Sequence, residues 1–366
     1  MQVHAVQTEN FRLLENQLVE FAPGVNVITG ENAQGKTTLL EAVYLLTGVK
    51  SFRTRFDKEL ISFDKDFASV TGKINACGRD QTVELLFQRG VSRRMKQNGV
   101  KRSASEMSET LKAVLFSPDD LGLVRGPAAG RRKLMDAAIS QLRPGYAKIL
   151  SDYNKLYENK TRILRDWREK PDLLDTLDDF SDALCLCSAR LIRYRASFAR
   201  RLSEAAAPIH RDFSNGREEL AMEYTTVSTV TDPEGLLQQV YEEIALRQSQ
   251  LRHAELEAGQ CLVGAHKDDL AISINGAEAR AFASQGQTRT AALSIKMAER
   301  ELFCTETGES PVLLLDDVLS ELDAMRQEFV LNRIGGGQTL ITCCEDDSIS
   351  QRTGGKVLSV EKGRVS

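Results

Sequence analysis

The sequence predicts an α/β protein interrupted by an inserted helical arm, and three observations carry that expectation. β-rich runs surround a single helix signal in the first hundred residues; a helical rhythm replaces them from about Pro118; and α/β signals return after His253, ending in the apolar run Val312, Leu313, Leu314 and Leu315. At roughly 150 residues per domain, a chain of 366 residues has room for about two. Residues 1–116 and 259–366 are therefore expected to form one discontinuous α/β unit, and residues 117–258 the inserted arm.

Residues 3–8, 18–21 and 25–29 read as short strands, punctuated by Asn16 and by Pro23-Gly24, and a helix is expected over 36–47. Residues 67–75, 82–88 and 93–97 alternate like an antiparallel lobe, with Asn98-Gly99 as its type I′ turn. In the arm, Tyr146, Ile149, Tyr153, Leu156, Ile163 and Trp167 recur at three- and four-residue steps, with Lys160 the polar intruder. The rhythm returns in Leu184, Cys187, Leu191, Tyr194 and Phe198, which predicts an antiparallel hairpin turning near Lys170-Pro171-Asp172. Each limb is expected to span roughly 40 Å, with Pro144, Pro171 and Pro208 marking helix boundaries. Strands over 269–274, 311–316 and 339–343 and a helix over 287–305 close the chain.

Lys and Arg number 48 against 52 Asp and Glu, so the chain has no general basic coat and any anion-binding surface must be local. The longest apolar runs fall far short of the roughly 20 residues of a membrane span, which points to the cytoplasm and no membrane. The seven cysteines form no C-x-x-C pair and are expected to be reduced, with no disulfide framework or zinc site.

Gly30, Glu31, Asn32, Ala33, Gln34, Gly35, Lys36 and Thr37 match G-x-x-x-x-G-K-[ST] between a strand and a helix. That is the setting a phosphate cradle requires: glycines for unusual backbone angles, and a helix N-terminus facing the anion. Lys36 is expected to reach the β- and γ-phosphates of ATP and Thr37 to ligate Mg²⁺. A second metal-binding carboxylate belongs at the end of a neighbouring buried strand, where Asp316 stands; Asp317, next to it, is the candidate to orient the attacking water. Ser284-Gln285-Gly286-Gln287 opens a helix and is expected to clamp the γ-phosphate. If this helix and the phosphate loop flank one sheet on opposite faces, the clamp must serve a second subunit.

These motifs, with Ser320-Glu321-Leu322-Asp323 and the opening Asn10-Phe11-Arg12, resemble a P-loop ABC-type ATPase head of chromosome-maintenance and recombination proteins. The sequence is most similar to the RecF family, through the short arm, Phe116-Ser117-Pro118-Asp119-Asp120-Leu121, Arg131-Arg132 and Gly264-Ala265-His266-Lys267-Asp268-Asp269-Leu270. The resemblance implies an ATP-dependent homodimer that binds double-stranded DNA and single-strand/double-strand junctions, hydrolyses ATP weakly and loads recombinase with RecR and RecO partners. It implies catalytic roles for Lys36, Ser284 and Asp317, and ATP contacts from residues 30–37 and from Thr38, Arg12, Gly286 and Gln287.

The sequence departs from the wider ABC pattern at two points. Asp317 replaces the usual Glu, and because an error of about 1 Å costs about a hundredfold in rate, slow turnover is expected. Thr342-Cys343-Cys344 stands where a switch His is usual, and within the RecF pattern Ala265 stands in place of Pro. Three basic clusters compete for DNA: Arg93, Arg94, Lys96, Lys101 and Arg102; Arg125, Arg131, Arg132 and Lys133; and Arg190, Arg193, Arg195, Arg200 and Arg201. Rival readings are the nucleotide-binding subunit of a transporter and a scaffold locked by ATP.

Overall fold

The computed structural model describes residues 1–103, 106–344 and 351–366. β1 (Gln2–Glu9) and β2 (Gln17–Glu20) pair antiparallel, β3 (Val25–Thr29) departs for a second sheet, and α1 (Lys36–Leu45) follows it. β4 (Phe67–Ala76), β5 (Arg79–Gln88), β6 (Val91–Gln97) and β7 (Val100–Arg102) complete a six-stranded antiparallel lobe in the order β2-β1-β4-β5-β6-β7. Asn98 and Gly99 take φ of 51° and 77°, the paired positive values a type I′ turn needs. After β8 (Ala113–Phe116) come α2 (Pro118–Leu121), α3 (Ala128–Leu142), α4 (Tyr146–Asp166) and α5 (Leu177–Phe213). β9 (Leu220–Thr225) and α6 (Leu237–Ala258) complete the insertion. The chain ends through β10 (Asp269–Ile274), β11 (Ala277–Glu278), α7 (Ala279–Phe282), α8 (Gln285–Thr307), β12 (Val312–Asp316), α9 (Ala324–Leu331), β13 (Thr339–Cys343), β14 (Lys356–Glu361) and β15 (Arg364–Val365).

The two halves of the α/β unit meet in one sheet, ordered β15-β14-β3-β13-β12-β8 and parallel except for the β14/β15 hairpin. Both faces of its inner strands are covered, so β3, β8, β12 and β13 are buried almost throughout and their alternate residues serve different cores. Val312 and Leu314 pack with Leu39, Leu40 and Val43 of α1 and with the antiparallel lobe. Leu313 and Leu315 pack with Leu293, Ile295 and Met297 of α8 and with α3 and α5. The two helices that open on the sequence motifs therefore lie on opposite faces.

Four features of the insertion differ from expectation. Pro208 lies inside α5, which continues to Phe213. Buried Ala206, Ile209 and Phe213 on either side of it pack into the core, which offsets the roughly 3 kcal/mol an internal proline costs. α4 has 21 residues, about 32 Å at 1.5 Å each, shorter than the expected limb. The arm is also more than a hairpin: α6 packs beside α4 and α5, and Lys160 is completely buried in a 2.7 Å ion pair with Glu255 of α6, bridged by Gln248. β9, a strand within the segment read as helical, pairs antiparallel with β10. Among the described residues no helix is long and apolar enough to cross a membrane.

Candidate functional site

The loop between β3 and α1 is shaped by left-handed backbone at Gly30, Ala33 and Gly35, with φ of 143°, 64° and 118°. Glycine is required at position 30, because a Cβ there would lie 2.3 Å from the carbonyl oxygen of Val360. The β14/β15 turn braces the loop: Lys362 N–H donates to Gln34 Oε1 at 2.6 Å and Gly363 N–H to the Gln34 carbonyl at 2.9 Å. The Lys36 ammonium is buried and donates to the carbonyls of Gly30 and of Glu31, the latter at 3.0 Å. Cys344 Sγ lies 3.6 Å from it and 3.0 Å from Asn32 Oδ1. Thr38 is buried on α1.

Thr37 Oγ1 donates to Asp316 Oδ1 at 2.8 Å, joining the start of α1 to the end of β12. Burial raises the Asp316 pKa above the usual carboxylate value, and the Thr37 and Thr342 hydroxyls oppose that shift. A hydroxyl beside a buried carboxylate is a donor set that fits Mg²⁺, which keeps phosphate and water oxygens in its shell; among the described residues no cluster of three or more His, Cys, Asp or Glu offers a closed cage. Asp317 adopts φ of 52°, its N–H donates to Thr342 Oγ1 at 2.8 Å, and its Oδ1 accepts from Ser320 Oγ at 3.0 Å.

Ser284 caps α8 reciprocally with Gln287: Gln287 N–H donates to Ser284 Oγ at 3.2 Å, and Ser284 N–H to Gln287 Oε1 at 2.8 Å. Arg326 donates to the Gly286 carbonyl at 3.0 Å, and a Cβ at Gly286 would lie 3.2 Å from that guanidinium. Ser284 is exposed on the sheet face opposite α1.

The family model of the RecF/RecN/SMC N-terminal domain matches residues 2–363. The chain is 40% identical to the DNA replication and repair protein RecF of Listeria monocytogenes serotype 4b over 100% of this chain and 99% of that one. It is 38% identical to that of Bacillus subtilis over 96% of each. The chain belongs to the RecF family. A solved structure described as the recombination mediator protein RecF-ATPrS in the RecFOR pathway superposes on this RecF-family chain with a TM-score of 0.91, at 34% identity and with 100% and 97% of the two chains covered. A Smc head domain from Pyrococcus furiosus shares the fold at 15% identity and a TM-score of 0.54.

Several side chains expected at a ligand are engaged within this RecF-family chain. Arg12, turned by a φ of 50°, pairs at 2.6 Å with Glu41, a fully buried α1 carboxylate that also accepts from Ser51 and Arg53. No motif pointed to Glu41; its position one turn after Thr37 on α1 was the only signal.

Of the arginines and lysines in the three basic clusters, Arg131 and Arg195 are buried; the others are partly or fully exposed, several of them held by hydrogen bonds or ion pairs. Arg131 is buried and makes a two-point ion pair with Asp269 at 2.6 and 2.8 Å, so it is a strut and not a surface contact. Arg132 donates to the Asp268 carbonyl at 2.6 Å, and Arg125 to the Ala283 carbonyl beside Ser284. Arg93 is held by both oxygens of Asp57, at 3.0 and 3.1 Å, and Arg200 by Glu234 and Glu204. Arg94 and Arg193 are exposed. Asp268 gathers Arg195, Tyr224 and Thr226, which explains the run 264–270 as the anchor of α5 on β9 and β10.

Proposed function

We propose that this RecF-family chain binds ATP and Mg²⁺ between two copies of itself, closes as a dimeric clamp on DNA at gaps and single-strand/double-strand junctions, and reopens on slow hydrolysis. The observation that carries the proposal is the placement of α1 and α8 on opposite faces of one sheet. A loop on one face and a capped serine on the other cannot close on one nucleotide within a chain, but two copies facing each other complete two sites. The likeness to proteins described as RecF bound to ATP and to ATPrS supports the choice of nucleotide.

In this reading Lys36 neutralises charge on the transferring phosphate, and Ser284 and Gly286 of the second copy clamp the γ-phosphate. Thr37 and Asp316 would hold Mg²⁺, which supplies charge neutralisation when bound. Asp317 orients the attacking water. RecR- and RecO-type proteins are the proposed partners, in the cytoplasm, and family membership sets the transporter reading aside.

Sedimentation with and without ATP and gapped DNA, alongside steady-state hydrolysis, tests this. An ATP-dependent dimer with slow, DNA-raised turnover is expected. A chain that stays monomeric at saturating ATP overturns the composite site; a dimer without turnover leaves the scaffold.

A further inference from the structure

The Gln287 side chain that caps Ser284 with its oxygen spends its amide on a third residue. Gln287 Nε2 donates to Glu218 Oε1 at 3.0 Å, and the other oxygen of Glu218 meets His210 Nε2 at 3.1 Å. His210 is completely buried near the end of α5, and its Nδ1 lies 3.2 Å from Ser294 Oγ, two turns along α8 from Gln287. In the neutral tautomer with Nε2–H the ring donates to Glu218, and its Nδ1 faces the oxygen of Ser294, whose hydroxyl also donates to the Thr290 carbonyl at 2.9 Å. α5 thus grips α8 twice, directly through Ser294 and through Glu218 at the motif itself. With 37 residues, about 55 Å, α5 reaches from the turn of the arm to this grip.

We infer that Glu218, oriented by His210, is a positioning residue for Ser284, and that the Gln287–Glu218–His210 chain links the arm helix to the surface that clamps nucleotide on the second copy. This inference rests on the proposed composite site. An oriented amide keeps the Ser284 backbone N–H and hydroxyl in one arrangement; without Glu218 the amide is free to rotate and the cap competes with solvent.

The experiment compares wild type, Glu218→Ala, Glu218→Gln, Gln287→Ala and the double Glu218→Ala/Gln287→Ala variant. Three readouts are taken: affinity for fluorescent ATP at monomeric concentration, the dissociation constant of the ATP-dependent dimer, and Tm. Loss of one charge-assisted hydrogen bond is expected to weaken the dimer about tenfold in Glu218→Ala with monomer ATP affinity unchanged, while Tm falls because buried His210 loses its acceptor; Gln287→Ala, which leaves that acceptor in place, should weaken the dimer with Tm near wild type. Glu218→Gln, which keeps an acceptor for Gln287, is expected to recover most of that loss. The double variant should be no weaker than Gln287→Ala alone.

A wild-type dimer matched by Glu218→Ala, additive effects in the double variant, or equal loss of monomer ATP affinity each overturns the chain of contacts while the composite site stands. Absence of an ATP-dependent dimer in the wild type itself overturns the site and, with it, this inference.

Discussion

Thr342 Oγ1 lies 3.0 Å from Asp316 Oδ1, the same carboxylate oxygen that Thr37 engages from the other side. Its single proton goes to Asp316, and its lone pair accepts the N–H of Asp317, so one hydroxyl orients the carboxylate of the first acid and the backbone of the second. Thr342 of β13 thus ties together the two acids at the end of β12. Thr342→Val, which keeps the shape and removes the hydroxyl, is expected to lower kcat by about 10- to 100-fold with ATP affinity nearly unchanged; Thr342→Ser should stay near wild type. Equal kcat in the two variants would refute this.

Lys36→Ala is expected to weaken ATP binding by about 10- to 150-fold, the worth of a charge-assisted hydrogen bond, and to abolish ATP-dependent dimerisation. Mixed with Ser284→Arg, it should form heterodimers with one intact site, so nucleotide crosslinking is expected to join the Ser284→Arg phosphate loop to the Lys36→Ala signature helix. Crosslinks confined to single chains would rule out the composite site.

Arg131→Ala leaves Asp269 without its partner and is expected to lower stability by about 3–5 kcal/mol, read by urea unfolding. Arg94→Ala and Arg193→Ala act at exposed positions and should leave stability within about 0.5 kcal/mol. If these arginines meet phosphate, each replacement lowers the slope of log affinity against log salt by about one unit. An Arg131→Ala protein of wild-type stability would return this arginine to the surface.

His266 lies between Tyr153, 2.7 Å from Nδ1, and the Cys261 carbonyl, 3.1 Å from Nε2, and burial pushes its pKa from 6.5 down to about 4. The folded state holds the ring neutral while the unfolded chain takes up a proton below pH 6.5, so the stability from this residue is complete above 6.5 and is lost as pH falls toward 4. At pH 5 the loss is about 2 kcal/mol. Urea unfolding at pH 7 and 5 should show a fall that His266→Gln reduces by that amount; an identical fall in both proteins would clear His266.

Local signals made the architecture legible. The apolar run at 312–315, the turn at Asn98-Gly99 and the glycine pattern at 30–37 each state their own geometry. What could not be read locally was decided by partners distant in sequence. Arg131 looks like a phosphate contact until β10 brings Asp269 to it, and Lys160 looks misplaced until α6 brings Glu255. Pro208 breaks a helix by local rules, yet the buried residues around it hold α5 together. Gln287 was read for its place in the motif; its second partner, Glu218, lies 69 residues earlier and belongs to no pattern.

The bracing of the phosphate loop by Lys362 and Gly363 also bears on how the chain comes off the ribosome. Among the described residues β3 pairs only with β13 and β14, so the strand that carries the loop waits for these partners until residues 339–361 are made. At about 5–20 residues per second that interval is roughly 15–60 s, during which an apolar strand is open to misassociation. A truncated product of stalled translation would bear the motif in its sequence yet lack the strands and the turn that brace the loop.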